Sequence, residues 1–359
     1  MDYSLETLAL MWLSSAEMLT QKGRTALIEY YGSAQKAFSG FSAAARPLVG
    51  GKAYEALQNA KENGLLSIAR QLSQLNARVT AKGEANYPKK LMPLEDAPDL
   101  IYYRGELSDA PAVAIVGSRH DTRYGRSQAF SIAKDLALAG VTVVSGLARG
   151  IDTAAHQGAL AGGGRTIAVL GCGLATTYPP ENTTLAENIV RSGGAIVTEY
   201  APDIAPLPFH FPHRDRIISG LSDALLLVEA TLKSGTNSTV NHALNQGIPI
   251  FALPGNVDAP GSELPLLLLK QGALMATDAG DILAELKISP KQQPIVQAEN
   301  KPTDDPILSA LQREEKTFEE LASETGMTPA NLSSALSMLE LDGKIEKRAG
   351  RAYALCTHS

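Results

Sequence analysis

At 359 residues the chain has room for two or three domains with proper cores, and its 44% hydrophobic content excludes wholesale disorder. With 32 Lys plus Arg against 38 Asp plus Glu, the net charge of −6 excludes a diffuse polycationic coat, the usual mark of a chain that binds phosphate polymers by charge alone. Two distant cysteines, Cys172 and Cys356, exclude a disulfide framework or a cysteine zinc site and suit a reducing compartment. The start of the chain carries Asp2 and Glu6 and no Lys or Arg before Lys22, which makes a poor signal peptide. The longest aliphatic stretch, near Leu264–Leu269, falls far short of the roughly 20 residues a membrane-spanning helix needs. The expected location is therefore cytoplasmic.

Residues 1–82 read as short amphipathic helices, with Leu8, Met11, Trp12 and Ser15 on one stripe and Leu27, Tyr30, Tyr31 and Ala34 on the next. Gly32-Ser33 and Gly50-Gly51 are helix stops. From 83 to 286 short β-branched runs end in glycine-rich turns and lead into helical patterns. The predicted strands are Ala112–Val116, Val141–Ser145, Thr166–Leu170, Ala195–Thr198, Ala224–Val228 and Pro249–Ala252. Helices are predicted at Gly125–Ala139, Ile151–Ala161, Asn182–Arg191 and Thr239–Gln246. Apolar strands alternating with helices predict an α/β fold, a Rossmann-like, doubly wound and mostly parallel sheet covered on both faces. Residues 287–303 hold three prolines and three glutamines and read as a linker. Residues 304–359 read as three helices and a hairpin, the pattern of a winged helix.

In such a sheet, ligands bind outside the carboxyl ends of the strands. Here one strand ends in Gly117-Ser118-Arg119, the next in Ser145-Gly146-Leu147-Ala148-Arg149-Gly150, and a third in Gly171-Cys172-Gly173. Glycine admits a phosphate to the backbone N–H groups, serine offers a hydroxyl, and arginine pairs with phosphate oxygens. Ordinary strand-to-helix geometry accounts for any one of these turns; several on one sheet edge point to an anion site. There is no GxxxxGK[ST], and Thr176 stands where a dinucleotide fingerprint needs its third glycine. The segment Phe209-His210-Phe211-Pro212-His213-Arg214-Asp215-Arg216 combines aromatic rings with arginines, as single-strand binders do. Asp215 is placed to orient the arginines, and His210 and His213 read as packing, because Pro212 spoils ligand spacing and no third metal ligand is evident. Lys233, Ser234 and Gly235 open another helix on the same rim. Cys172 has no base beside it in sequence, and Asp152 and His156, four apart on one helix, read as capping or packing groups.

On these residues the chain resembles the DNA processing protein A family (DprA, also called Smf) of bacterial natural transformation. The motifs are AIVGSR near 112–119, VVSGLARGIDTAAHQGAL at 143–160, GRTIAVLGCGL at 164–174, YPPEN at 178–182, FHFPHRDRIISGLS at 209–222 and ALPGNVDAPGS at 252–262. The resemblance implies a Rossmann-like core that binds single-stranded DNA, forms a homodimer and loads the RecA recombinase without being an enzyme. It also implies a sterile-alpha-motif-like N-terminal domain and a C-terminal winged helix. Carried over by position, the family's binding motifs fall on Gly117, Ser118 and Arg119, on Ser145, Gly146, Arg149 and Gly150, and on the segment from Arg214 to Ser222 with Arg216; the turns read above add Gly171, Gly173, Lys233, Ser234 and Gly235 to the expected DNA-contacting set, together with backbone N–H groups of the glycine turns. No cofactor, metal or catalytic residue is implied. Three departures stand out: Asp215 in place of an asparagine, Pro180-Glu181 where some members carry a lysine, and Glu263-Leu264-Pro265-Leu266-Leu267 in place of a Gly-Thr-Asn pattern.

A second reading is a Rossmann-like nucleotide enzyme, such as a phosphoribohydrolase, with Glu199 or Glu229 at the sugar. The stretch Ser234-Gly235-Thr236-Asn237 lacks that group's double glycine and downstream glutamate. A third is a nucleotide sensor without turnover. In the winged helix, residues Thr328 to Leu341 carry no Lys or Arg, so duplex reading is not expected of them; Lys344, Lys347, Arg348 and Arg351 form a basic wing. Residues 111–220, with 9 basic and 8 acidic side chains, are the stretch of positive balance and hold Arg119, Arg149, Arg214 and Arg216.

Overall fold

The computed structural model describes residues 3–63, 65–288, 305–311, 315–341, 345–347 and 352–355. Cys356, Lys344, Arg348, Arg351 and most of the predicted linker lie outside the described residues. The chain divides into two compact units, Met1–Lys291 and Gln292–Ser359.

The first unit opens with helices α1 (Leu5–Ser14), α2 (Gln21–Tyr31), α3 (Ala34–Gly40), α4 (Arg46–Val49), α5 (Gly51–Asn63) and α6 (Leu65–Gln74). Ser4 and Thr20 cap the first two through their hydroxyls, and Gly32 ends α2 in the left-handed conformation. Trp12 is fully buried, with its indole N–H on the Leu57 carbonyl at 2.8 Å and its ring edge-on to Phe41.

The strands are β1 (Arg78–Ala81), β2 (Leu100–Gly105), β3 (Ala112–Val116), β4 (Thr142–Ser145), β5 (Thr166–Val169), β6 (Ala195–Thr198), β7 (Ala224–Leu227), β8 (Ile250–Ala252) and β9 (Leu274–Met275). Between them come α7 (Arg123–Leu138), α8 (Ile151–Ala161), α9 (Thr183–Arg191), α10 (His210–Gly220), α11 (Thr236–Asn245), α12 (Glu263–Lys270) and α13 (Ala279–Glu285). Among the described residues the strands form one sheet in the order β1-β2-β6-β5-β4-β3-β7-β8-β9. Its β6-to-β9 part is parallel; β1 and β2 extend it antiparallel. The six predicted strands form within one residue of their expected bounds. β1, β2 and β9 were not predicted, and β1 lies inside the stretch read as purely helical.

Every residue of β3 is buried, with alternate side chains facing opposite ways, as a central parallel strand requires. Ala112, Ala114 and Val116 join a core with Ile217, Ile218 and Val240, while Val113 and Ile115 join one with Ile132, Ala155 and Ile282. A third core unites the N-terminal helices with Leu100 and Tyr102 of β2 and Ile189 of α9. The Ser14 and Tyr102 hydroxyls, 2.5 Å apart, tie α1 to the sheet.

The second unit is a winged helix. It contains α14 (Pro306–Leu311), β10 (Lys316–Thr317), α15 (Phe318–Thr325), α16 (Pro329–Leu341), β11 (Ile345–Lys347) and β12 (Ala352–Leu355), with the strands ordered β10-β12-β11. Thr317 and Glu320 form a capping box at the start of α15, and Leu321, Leu332, Leu336 and Ile345 share its core.

Candidate functional site

Strand order reverses between β3 and β7: β4, β5 and β6 follow on one side of β3, and β7, β8 and β9 on the other. The crossovers diverge there, which opens a crevice outside the strand ends. A cleft of about 770 Å³ occupies that place, lined by Gly117, Ser118 and Arg119 after β3 and by Glu229, Thr231 and Ser234 after β7. The N-terminal part of α10 contributes Phe211 and Arg214.

The turn after β4 forms one wall. Leu147 is held at φ +58° although buried, an unfavourable conformation for a branched side chain. Its carbonyl accepts from the Asn182 amide at 2.8 Å, and Asn182 also donates to Thr153. Gly150 follows at φ +75°, where a Cβ would overlap the Ser118 carbonyl, so glycine lets the first two turns of the site touch. Asp152 receives the N–H groups of Gly146 (3.0 Å) and Ala148 (3.3 Å). Burial pushes the Asp152 carboxyl up to about 6, against the opposing Arg214 guanidinium.

The expected DNA-contacting residues separate into two groups. Arg119 is exposed, with its guanidinium 5.6 Å from the Phe211 ring centroid and no salt bridge among the described residues. Tyr178 lies 5.4 Å from the same ring, so an arginine and two aromatic rings share one edge. Gly117, Ser118, Ser234 and Gly235 also line the cleft, and Lys233 is exposed beside them. Gly146, Arg149 and Arg214 line a smaller neighbouring recess with Arg119 and Tyr178. Gly171 abuts the Phe211 ring, and Gly150 sits beneath Arg119.

Several expected contacts, two residues of that recess among them, are turned inward or already engaged in internal pairs. Ser145 is fully buried and its hydroxyl donates to the Ile115 carbonyl at 2.7 Å, so it braces β4 against β3. Arg216 is 3% exposed and holds Glu199 through two bonds of 2.6 and 2.7 Å. Burial alone would raise the Glu199 carboxyl, but Arg216 and His213 outweigh it and hold it down at about 2. Gly173 packs beneath the carbonyls of Ala201 and Pro202, away from the cleft. Arg214 is buried and donates to the Gly146 and Val169 carbonyls, with Asp215 at 3.2 Å from its Nε. Arg149 is exposed but paired with Glu181. The N–H groups of Gly146, Ala148 and Ser118 are taken by Asp152 and the Glu229 carbonyl, so they are not open to phosphate as expected of the glycine turns.

Glu229 has a role that sequence reasoning did not find. Its carboxylate accepts the Thr122 N–H at 2.9 Å and the Thr122 hydroxyl at 2.5 Å, and lies against Gly125 in the first turn of α7. The chain's own anion thus occupies the helix start at which nucleotide-binding relatives of this fold hold a phosphate. Glu229 and Glu199, the carboxylates a phosphoribohydrolase reading would use, are both engaged in these structural bonds. Cys172 is buried and its thiol is pushed up to about 11 by burial, the state of an inert cysteine. Burial likewise drives His156 down to about 3, with Nδ1 on the Thr166 hydroxyl.

An open α/β sheet with its cleft at the reversal of strand order defines a doubly wound protein of the Rossmann-like class. Within that class, the DNA recombination-mediator protein A model matches residues 78–287, and a DprA winged helix model matches residues 289–351. The chain belongs to the DNA recombination-mediator protein A family. It is 44% identical over 218 residues to Protein Smf of Escherichia coli (strain K12), covering 60% of this chain and 58% of that protein. The X-ray structure of DNA processing protein A from Streptococcus pneumoniae matches at 30% identity and a TM-score of 0.65, covering 79% of this chain and 99% of that one. A Helicobacter pylori DNA processing protein A structure, concerned with that protein's single-stranded DNA binding mode, matches at 31% identity and a TM-score of 0.53. It covers 59% of this chain and 95% of that one.

Proposed function

We propose that the chain binds single-stranded DNA along the cleft at the strand-order reversal and delivers it to the RecA recombinase, as a non-enzymatic cytoplasmic homodimer acting in natural transformation. The observation that carries this reading is the exposed Arg119 guanidinium, 5.6 Å from the Phe211 ring centroid and beside Tyr178. A guanidinium neutralises a phosphate while the rings offer faces to bases, which is the chemistry of a strand with unpaired bases. Arg119 and Lys233 act directly on the strand. Arg149 joins them on leaving Glu181, an exposed pair that a phosphate can replace at little cost. Arg214 positions the wall by holding Gly146 and lends its charge from below. The Helicobacter pylori relative supports the choice of single strands, and the engaged Glu199 and Glu229 disfavour nucleotide hydrolysis at this edge.

The proposed organisation is a sterile-alpha-motif-like segment at 1–82, the DNA-binding core at 83–286, a linker at 287–303 and the winged helix at 304–359. The test is titration of single-stranded and duplex oligonucleotides at two salt concentrations with wild type and Arg119→Ala. Wild type should prefer single strands and weaken with salt, and the variant should bind roughly tenfold less tightly. Equal binding by the variant would remove this cleft from consideration. Stimulation of RecA filament formation on strands coated with single-strand-binding protein tests the delivery step.

A further inference from the structure

A second cavity of about 310 Å³ lies on the other side of α10, between the α1–α2 connection and the residues that follow β6. Phe211, Pro212 and Arg214 line the strand cleft, whereas Phe209, His210 and His213 line this second cavity, so one helical turn separates the two. Its floor is aromatic: Tyr200 and His210 stack with centroids 4.1 Å apart and planes at 30°. Its rim is apolar and exposed, with Phe209 at 59% and Met18 at 54%. Arg24 reaches this wall half-buried, with Nη1 3.3 Å from the Asp99 carboxylate. A concave, largely apolar space with a few polar groups on its lining is the usual form of a small-molecule site. The exposed Glu17 carboxylate shares the cavity.

We infer that this cavity takes a guanine base. A flat ring system suits the stacked floor and the Phe209–Met18 rim. A carboxylate only accepts hydrogen bonds and a guanidinium only donates them. Guanine alone among the bases presents two adjacent donors, N1–H and the N2 amino group, on the edge that Glu17 would meet, with the O6 acceptor next to them for Arg24. Adenine and cytosine place an acceptor beside their amino donor, and thymine flanks its single N–H with two carbonyls; each would set an acceptor against the carboxylate. The guanine can come from a free nucleotide or from the bound strand, turned over the start of α10. The strand source rests on the single-strand reading above; the nucleotide source does not.

Two titrations of the full-length chain separate these sources. Calorimetry with GMP, AMP, CMP and dTMP reads the free nucleotide, and anisotropy with oligo-dT carrying or lacking one central dG reads the strand. A guanine preference of roughly tenfold is expected in at least one titration. It should vanish in Glu17→Ala, while that exposed substitution leaves the melting temperature and oligo-dT affinity unchanged. Arg119→Ala should weaken oligo-dT and spare GMP. Preference in the strand alone, or in the mononucleotide alone, supports the cavity and identifies its source. Equal affinity for all bases in both titrations overturns the inference, as does a guanine preference that survives Glu17→Ala. Should wild type fail to bind oligo-dT, the single-strand reading falls, and the mononucleotide titration still decides the cavity.

Discussion

Arg119 and Arg216 carry the same charge, and their surroundings give them opposite roles. Arg216 is buried against Glu199 with two short bonds, so removing it strands a carboxylate away from water. Arg216→Ala should cost about 3–5 kcal/mol of stability, read by urea denaturation, because an unpaired buried charge is left behind. A loss confined to DNA affinity, with normal stability, would show that the pair is not structural. Arg119→Ala should do the reverse, leaving the denaturation midpoint in place and reducing single-strand affinity. Asp152 gives a pH-dependent counterpart. Its pKa is raised on folding from the ordinary value of 3.8 to about 6 by burial, so the folded state holds the proton more tightly than the unfolded chain. The stability this contributes is fully present below about pH 4 and is lost as pH rises through 6. Asp152→Asn keeps an acceptor for the Gly146 and Ala148 N–H groups but cannot titrate. Relative to wild type, the variant should therefore gain stability between pH 4 and 6.5; a constant difference across that range would contradict the burial argument.

At the scale of elements, the cap of α7 shows how a carboxylate of the chain takes a helix start that could otherwise hold a phosphate. Glu229 leaves β7, crosses to the helix start and takes both polar groups of Thr122. Charged acceptors of this kind contribute about 1.5–3 kcal/mol each, so Glu229→Ala should lower stability measurably and Glu229→Gln by less. Equal stability of Ala and Gln variants in calorimetric melting would show that the carboxylate does not hold the helix. No sequence pattern advertises this contact, because its partners are 107 residues apart. The six strands predicted from sequence were legible because each is an apolar run ending in a glycine turn and feeding a helix. β1 and β2 lack that rhythm: they pair antiparallel at the sheet margin and come before the first βαβ unit. β9 is two residues long, too short for any periodicity. The site was legible as a set of turns and arginines, but residue type alone could not separate the arginine facing solvent from the one facing Glu199. The direction of Ser145 was hidden for the same reason, since alternation along β4 and not its identity turns it toward Ile115.

Across the whole molecule, a net charge of −6 and the proposed strand-binding role of the cleft are compatible only if few cations do the work. Of the basic residues assigned to the cleft, Arg214 is buried in internal bonds and Arg216 in an ion pair, which leaves Arg119, Lys233 and, once freed from Glu181, Arg149. Each phosphate neutralised on a single strand adds about 0.7 to the slope of log affinity against log salt. Roughly three contacts per chain therefore set a shallow slope near −2, well below that of a polycationic binder. The winged-helix unit should add little to it, because α16 carries no Lys or Arg along Pro329–Leu341. A chain ending at residue 288 should keep the single-strand affinity and the slope of the full chain, measured by anisotropy from 50 to 300 mM salt. Glu181→Gln in the same assay should tighten binding at low salt, because Arg149 then meets the strand without first leaving a carboxylate. A steep slope that collapses on removal of residues 289–359 would move the DNA contact to the second unit. An unchanged affinity in Glu181→Gln would instead take Arg149 out of the strand path and leave Arg119 and Lys233 as its cations.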